Sequence, residues 1–318
     1  MKAESIRSVA VLGLGTMGHA IAHVFAAAGC RVRGYDESPA ARASLTGRMK
    51  SNLRQMAPRK SIAPTLARIR VFATVEEAVT GAQFVLEAVK EDLPTKQALF
   101  AQLERMVSPR TILASNTSTF PMTRIAARLK HPDRCLDMHW FNPPHIVPVV
   151  EIVSGRKTSR QTVATTIELT KRIGKIPIHV RKEIPGFIVN RVQAALNREV
   201  WDLWQRGVAS PEEIDRAVSG TLGFRLAAIG PLQVTDFAGL DVWQAIYRVL
   251  GRDIRSDDKY PRKLRRLVAA GHLGAKTGQG IYRYTPQSLA TKLADRDRKF
   301  LALARRLYAD GVSPTDQD

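Results

Sequence analysis

The stretch DMHWFNPPHIVPVVEIV, residues 137–153, holds the residue types that can move a proton. His139 carries an imidazole that titrates near neutrality, so it can take a proton from an alcohol and return it to a carbonyl. Glu151 stands alone as an acid in the apolar run VVEIV. A carboxylate on the second ring nitrogen would fix the tautomer and stabilise the imidazolium. Asn142-Pro143-Pro144 forces a turn between them, so the two flanking apolar segments could fold back and bring the pair within reach. The same residues also suit a buried histidine beside a turn and a strand-end glutamate. Taken alone, they leave both readings open.

A second motif bears on chemistry of another kind. GLGTMG (13–18) follows the apolar run IRSVAVL and precedes an apolar stripe at Met17, Ile21, Val24, Phe25 and Ala28, which fits one helix face. A second strand, RVRGYD, ends on Asp36. A glycine motif between a strand and a helix, with an acid ending the next strand, points to a dinucleotide. Gly13 permits the tight turn, Gly15 lets backbone approach a pyrophosphate, and Gly18 allows close helix–strand packing. Leu14, Thr16 and Met17 complete the loop at a helix N-terminus whose N–H groups suit phosphate. Asp36 would accept from the adenosine ribose and repel a 2′-phosphate, which favours NAD over NADP, although Arg33 nearby weakens that preference.

Elements that could position these groups alternate over about 180 residues. Strands are expected at 6–12, 31–36, 69–73, 84–89, 111–118, 134–141, 149–153 and 176–180, with helices over 37–60 and from Pro121 through Leu129. That alternation predicts a doubly wound α/β sheet of the Rossmann type, in which ligands bind beyond the carboxyl ends of strands. Asp36, Glu91, Ser118 and His139 all fall there. At IPGFIVNR (184–191) the pattern changes to amphipathic helices, with a capping box at Ser210-Pro211-Glu212-Glu213. The expected organisation is therefore a dinucleotide-binding domain over 1–183 and an all-α domain over 184–318. The surplus of amphipathic helix suggests dimerisation through the second.

Composition narrows the classes. No apolar run approaches the ~18 residues of a membrane span, and Cys30 and Cys135 are too few for a disulfide framework or a metal cluster. A cytoplasmic location is the expectation. The net charge of +20 raises the question of nucleic acid, but the Lys and Arg residues are scattered along helices without interleaved aromatics. A solvated surface is the simpler reading, and no nucleic-acid partner is expected.

GLGTMG, Asp36, EAVKEDLPTK (87–96), SNTS (115–118), HWFNPP followed by VVE, PGFIVNR and GAKTGQGIYRY (274–284) occur in that order, and together they resemble the L-3-hydroxyacyl-CoA dehydrogenase family over nearly the entire chain. The resemblance implies that His139 is the general acid–base and Glu151 its carboxylate partner. It implies that Ser118 binds near substrate and nicotinamide and that Asn190 orients the substrate oxygen. Glu91, Lys96, Asn142 and Lys276 resemble positions around the bound dinucleotide. The implied reaction is hydride transfer between NAD and the carbinol carbon of a 3-hydroxyacyl-CoA, a step of fatty acid metabolism, with the basic segment 48–60 available to the CoA phosphates. NPPHIVPVVE also resembles members acting on small hydroxy acids or heterocyclic carboxylates without CoA, and RLAAIGP departs from the family's more usual short GxPMGP. A third reading is a non-catalytic dinucleotide-binding structural protein, of the kind lens crystallins exemplify.

Overall fold

The computed structural model describes residues 2–56, 62–257 and 261–308. Residues 57–60 of the expected basic segment lie outside the described residues. The chain divides into two units, residues 1–188 and 189–318. The division falls just past the boundary expected at 184 because Phe187 is fully buried in the first unit and the Ile188 N–H donates to Glu151.

The first unit is one eight-stranded sheet. Its strands are β1 (Ser8–Leu12), β2 (Arg31–Tyr35), β3 (Ile69–Val71), β4 (Phe84–Glu87), β5 (Ile112–Ser115), β6 (Cys135–Trp140), β7 (Val149–Val153) and β8 (Ile176–Val180), in the order β3-β2-β1-β4-β5-β6-β7-β8. The pairs from β3 through β6 are parallel, β6 and β7 are antiparallel, and β7 and β8 are parallel again. Every residue of β1, β4, β5 and β6 is buried, as in a sheet covered on both faces. Helices α1 (Gly18–Ala27), α2 (Pro39–Met56), α3 (Ala63–Leu66), α4 (Val75–Val79), α5 (Leu93–Met106), α6 (Met122–Ile125) and α7 (Arg160–Arg172) supply the covers.

Period-two alternation sorts the strand residues between two cores. Val9, Val11, Leu86, Met138 and Trp140 join one cluster with Ile21 and Phe25, whereas Ala10, Leu12, Val85, Leu113 and Cys135 join the other with Phe100 and Leu103. In the first, the Phe25 ring lies 6.2 Å from Phe84 and 6.0 Å from Trp140. Side-chain caps start three of the helices, with Thr74, Asp92 and Ser159 accepting from Glu77, Thr95 and Thr162 N–H groups. The helix expected through Leu129 stops at Ile125. Beyond it the Glu104 carboxylate of α5 accepts the Lys130 and His131 N–H groups at 3.0 and 2.8 Å and draws the chain out of helical register.

The second unit is helical, with α8 (Val189–Arg206), α9 (Pro211–Val218), α10 (Phe224–Leu226), α11 (Pro231–Ala238), α12 (Leu240–Leu250), α13 (Arg262–Ala269) and α14 (Pro286–Leu307). Ser210 and Glu213 close the expected capping box on α9. The strand-like IYRY makes only isolated bridges around Gln279, and the Tyr282 hydroxyl donates to Asp215 at 2.7 Å. Among the described residues of this unit, only Ile214 and Pro261 are buried. No helix among the described residues is long and apolar enough to cross a membrane.

Candidate active site

Strand order reverses between β1 and β4, so their carboxyl ends splay apart and leave a crevice there. A cleft of about 620 Å³ occupies it, lined by Gly13, Gly15, Asp36, Val89, Thr95 and Leu99 among others. Gly13 and Gly18 are required by geometry, whereas a Cβ on Gly15 would meet open space. Gly13 has φ +90°, and a Cβ on it would sit 2.5 Å from the Ala88 carbonyl oxygen; on Gly18, one would sit 1.7 Å from the Gly13 oxygen. Gly15 and Thr16 are exposed, whereas Leu14 is buried and Met17 half-buried.

Asp36 braces this loop. Its carboxylate accepts from the Leu14 N–H at 2.6 Å and the Ser38 N–H at 2.8 Å, and its remaining lone pairs suit ribose hydroxyls in the cleft it lines. Arg33 is turned elsewhere: it donates to the Ala78 and Glu77 carbonyls and stacks 4.1 Å above the Phe72 ring. The cation that reaches the glycine loop is Arg48, which donates to the Gly15 and Ala41 carbonyls at 3.2 and 3.0 Å. From the sequence Arg48 is only the start of the basic segment 48–60 offered to CoA phosphates, because one arginine in a basic helix carries no distinguishing signal. These residues fit a dinucleotide whose ribose is unphosphorylated, and the group when bound supplies the hydride acceptor and donor.

Beside the cleft, β4 and β5 carry a buried polar row. Glu87 is fully buried; it accepts from Lys96 Nζ at 2.7 Å, Ser115 Oγ at 2.6 Å and the Val89 N–H at 2.7 Å. Lys96 is thus an internal cation, 1% exposed, shared between Glu87 and Glu91. Glu91 in turn organises the loop after β5: one of its oxygens accepts from the Thr117 and Thr119 hydroxyls, both at 2.6 Å, and from the Ser118 and Thr119 N–H groups, both at 3.1 Å. Burial raises the Glu91 carboxyl, but those hydroxyls, the Lys96 ammonium and the Ser118 N–H outweigh it and hold it below its ordinary value. Half-buried Ser118 therefore sits on a loop fixed from below. Asn116 ties the same loop to β6 by accepting the Trp140 N–H at 2.9 Å.

The antiparallel β6–β7 pair sets His139 directly opposite Glu151. Nδ1 of His139 donates to Glu151 Oε2 at 2.7 Å, since a carboxylate only accepts. The other Glu151 oxygen accepts the Ile188 N–H at 3.0 Å. Both side chains are buried, and Phe141 and Phe187 pack edge-on to the imidazole at 4.6 and 5.4 Å between centroids. Phe187 holds φ +49°, a strained backbone for a bulky residue, which marks this packing as constrained. The arrangement leaves Nε2 as the proton-accepting atom of an oriented imidazole. Asn142 is exposed in the turn after β6, while Asn190, in the first turn of α8, and exposed Lys276, in the turn Ala275–Thr277, belong to the second unit.

Residues 8–184 match the model of the 3-hydroxyacyl-CoA dehydrogenase NAD binding domain, and residues 186–284 match that of the 3-hydroxyacyl-CoA dehydrogenase C-terminal domain. A relative from Mesorhizobium japonicum, 5-formyl-3-hydroxy-2-methylpyridine 4-carboxylate 5-dehydrogenase, is 38% identical over 95% of this chain and 98% of its own. A crystal structure of an enzyme of that activity, described as an NAD+-dependent dismutase, superposes with a TM-score of 0.88 at 37% identity, covering 95% of this chain and 98% of the other. The (S)-3-hydroxybutyryl-CoA dehydrogenase of Ralstonia eutropha superposes with a TM-score of 0.72 at 37% identity, covering 88% and 100%. The chain belongs to the 3-hydroxyacyl-CoA dehydrogenase family and is an NAD-dependent dehydrogenase acting on a CH–OH group.

Proposed function

We propose that this family member transfers hydride between NAD and the carbinol or carbonyl carbon of a small hydroxy acid or heterocyclic carboxylate that carries no CoA. The observation behind the substrate class is the near full-length likeness to the pyridine-carboxylate dehydrogenase, with a TM-score of 0.88 against 0.72 for the CoA enzyme. The second reading is a 3-hydroxyacyl-CoA substrate in fatty acid metabolism. Lys50 and Arg54, exposed on α2, favour it as counter-charges for CoA phosphates.

In either case His139 Nε2 takes the hydroxyl proton as the carbinol is oxidised and returns it in reduction. Glu151, 2.7 Å from Nδ1, holds the tautomer and stabilises the imidazolium. Ser118 and Asn190 are the donors proposed for the substrate oxygen as charge develops on it. The glycine loop from Gly13 to Gly18, Asp36, Glu91, Lys96, Asn142 and Lys276 serve the dinucleotide, Lys96 through the buried pair with Glu87. The reading includes a homodimer formed through the second unit, whose apolar residues stand exposed, and a reducing, cytoplasmic setting, which the buried thiols Cys30 and Cys135 suit.

The test is NADH consumption with free acetoacetate, small keto acids and heteroaromatic aldehydes beside acetoacetyl-CoA. Turnover on a free acid or aldehyde and none on the thioester is the expected result. Turnover confined to the thioester would replace the first reading by the second. NADH binding with no turnover on the whole panel would place the substrate outside both classes.

A further inference from the structure

Trp140 follows His139 on β6, so its side chain leaves by the opposite face of the sheet. There it packs on Phe25, and Lys175 Nζ lies 6.0 Å from its ring centroid. A cavity of about 500 Å³ opens on this face, and four basic side chains line it: His23, His145, Arg172 and Lys175. Val24 and Leu53 are among its apolar walls, and among the described residues no acid lines it. It shares no lining residue with the dinucleotide cleft.

The cations here are unusually placed. Lys175 is only 7% exposed, yet it makes no ion pair among the described residues; its ammonium donates to the Val147 carbonyl at 2.6 Å and keeps two further N–H donors. His23 is buried, and its Nδ1 has no hydrogen-bond partner among the described residues. Its ring stands 5.8 Å from that of His145, whose Nε2 donates to Gln55 at 3.1 Å. Arg172 spends its donors on the Ala3 and Ile6 carbonyls and contributes charge. A buried ammonium is normally paired, because desolvating it without a counter-charge is unfavourable.

We propose that this cavity binds a compact oxyanion, the phosphate or carboxylate group of a small metabolite, held by Lys175 and His23. The anion supplies the missing counter-charge and accepts the unused donors. Burial brings the Lys175 ammonium to about 8, and burial with His145, Lys175 and His19 nearby takes His23 to about 4. The Lys175 departure is that of a cation desolvated by burial, and for His23 the neighbouring bases add to burial. The site also touches the turn between β6 and β7, because Val147 and His145 both belong to it.

Calorimetric titration of the full chain with inorganic phosphate and, separately, malonate tests the site. Chloride at matched ionic strength controls for the net charge of +20. Binding of either anion at one site per chain, unchanged by saturating NADH, is expected, and whichever binds identifies the group. Lys175→Met should weaken it about tenfold or more, the loss of one charge-assisted hydrogen bond, and Lys175→Arg should retain it. His23→Leu is the second variant, expected to weaken binding with the ammonium in place. No saturable binding of either anion would overturn the proposal. So would displacement by NADH, or affinity unchanged in both Lys175→Met and His23→Leu.

Discussion

The two units solve the problem of stability differently. In the first, four strands are buried along their whole length and two apolar clusters cover both faces of the sheet. In the second, Leu232, Phe224, Phe237 and Val249 are 83%, 77%, 74% and 74% exposed, and helices α9, α12 and α13 present apolar stripes with little beneath them. A unit with so little interior of its own depends on surface supplied from outside, which is what supports the proposed dimer.

The largest expected effect lies in the self-sufficient unit. His139→Gln should lower turnover by roughly 10²–10⁴-fold, the usual contribution of general acid–base catalysis, with NADH binding intact. Near-normal turnover would remove His139 from the proton-transfer role. The next effect belongs to the other unit. Leu232→Asp combined with Phe237→Asp changes two exposed side chains of α11. If they are central to the interface, dimer dissociation should strengthen by roughly 10³-fold, the scale of two interface anchors. A dimer mass by light scattering both before and after substitution would place the interface on another face, and a monomer mass before it would remove the proposed dimer.

A smaller effect concerns pH. Unfolded, His23 takes a proton below its ordinary 6.5, whereas burial, with His145 and Lys175 nearby, delays this to about 4 in the folded unit. Its contribution is therefore present above pH 6.5 and lost as pH falls from 6.5 toward 4, by about 3 kcal/mol. Urea unfolding of His23→Leu should show a flatter acid limb; an unchanged limb would assign the acid sensitivity to other groups. The smallest effect compares two caps. Ser159→Ala on α7 and Ser210→Ala on α9 each remove a similar hydrogen bond, worth about 1 kcal/mol. In the first unit the loss should appear in global unfolding, and in the second as faster local amide exchange. Equal effects on both observables would erase the contrast.

Much of this was legible in the residues. Continuous apolar runs such as SVAVL and FVLE announce strands buried on both faces, and GLGTMG with Asp36 locates the cleft because steric need for glycine and a strand-end acid are local properties. The turn at Asn142-Pro143-Pro144 left the His139–Glu151 contact open; the antiparallel register closed it. Less visible was anything set by distant partners. Glu87 reads as an ordinary strand end until Lys96 and Ser115 converge on it, and Lys175 reads as a surface lysine until the sheet closes over it. Arg33 looked like a neighbour of Asp36, but Phe72 and the α4 carbonyls claim it. IYRY has strand composition but among the described residues makes only isolated bridges.

The reversal of β7 has a consequence for how the site is held. Because His139 and Glu151 face each other across a ladder, their separation is fixed by backbone pairing on both strands. The segment between Trp140 and Val149 lies outside that ladder, yet Phe141 packs on the imidazole and Pro143, Pro144, His145 and Ile146 are buried, so the turn is tied to the core by side chains. The proton-handling pair is thus held by the ladder, and the turn between its strands by its own burial, two separate anchors for one site.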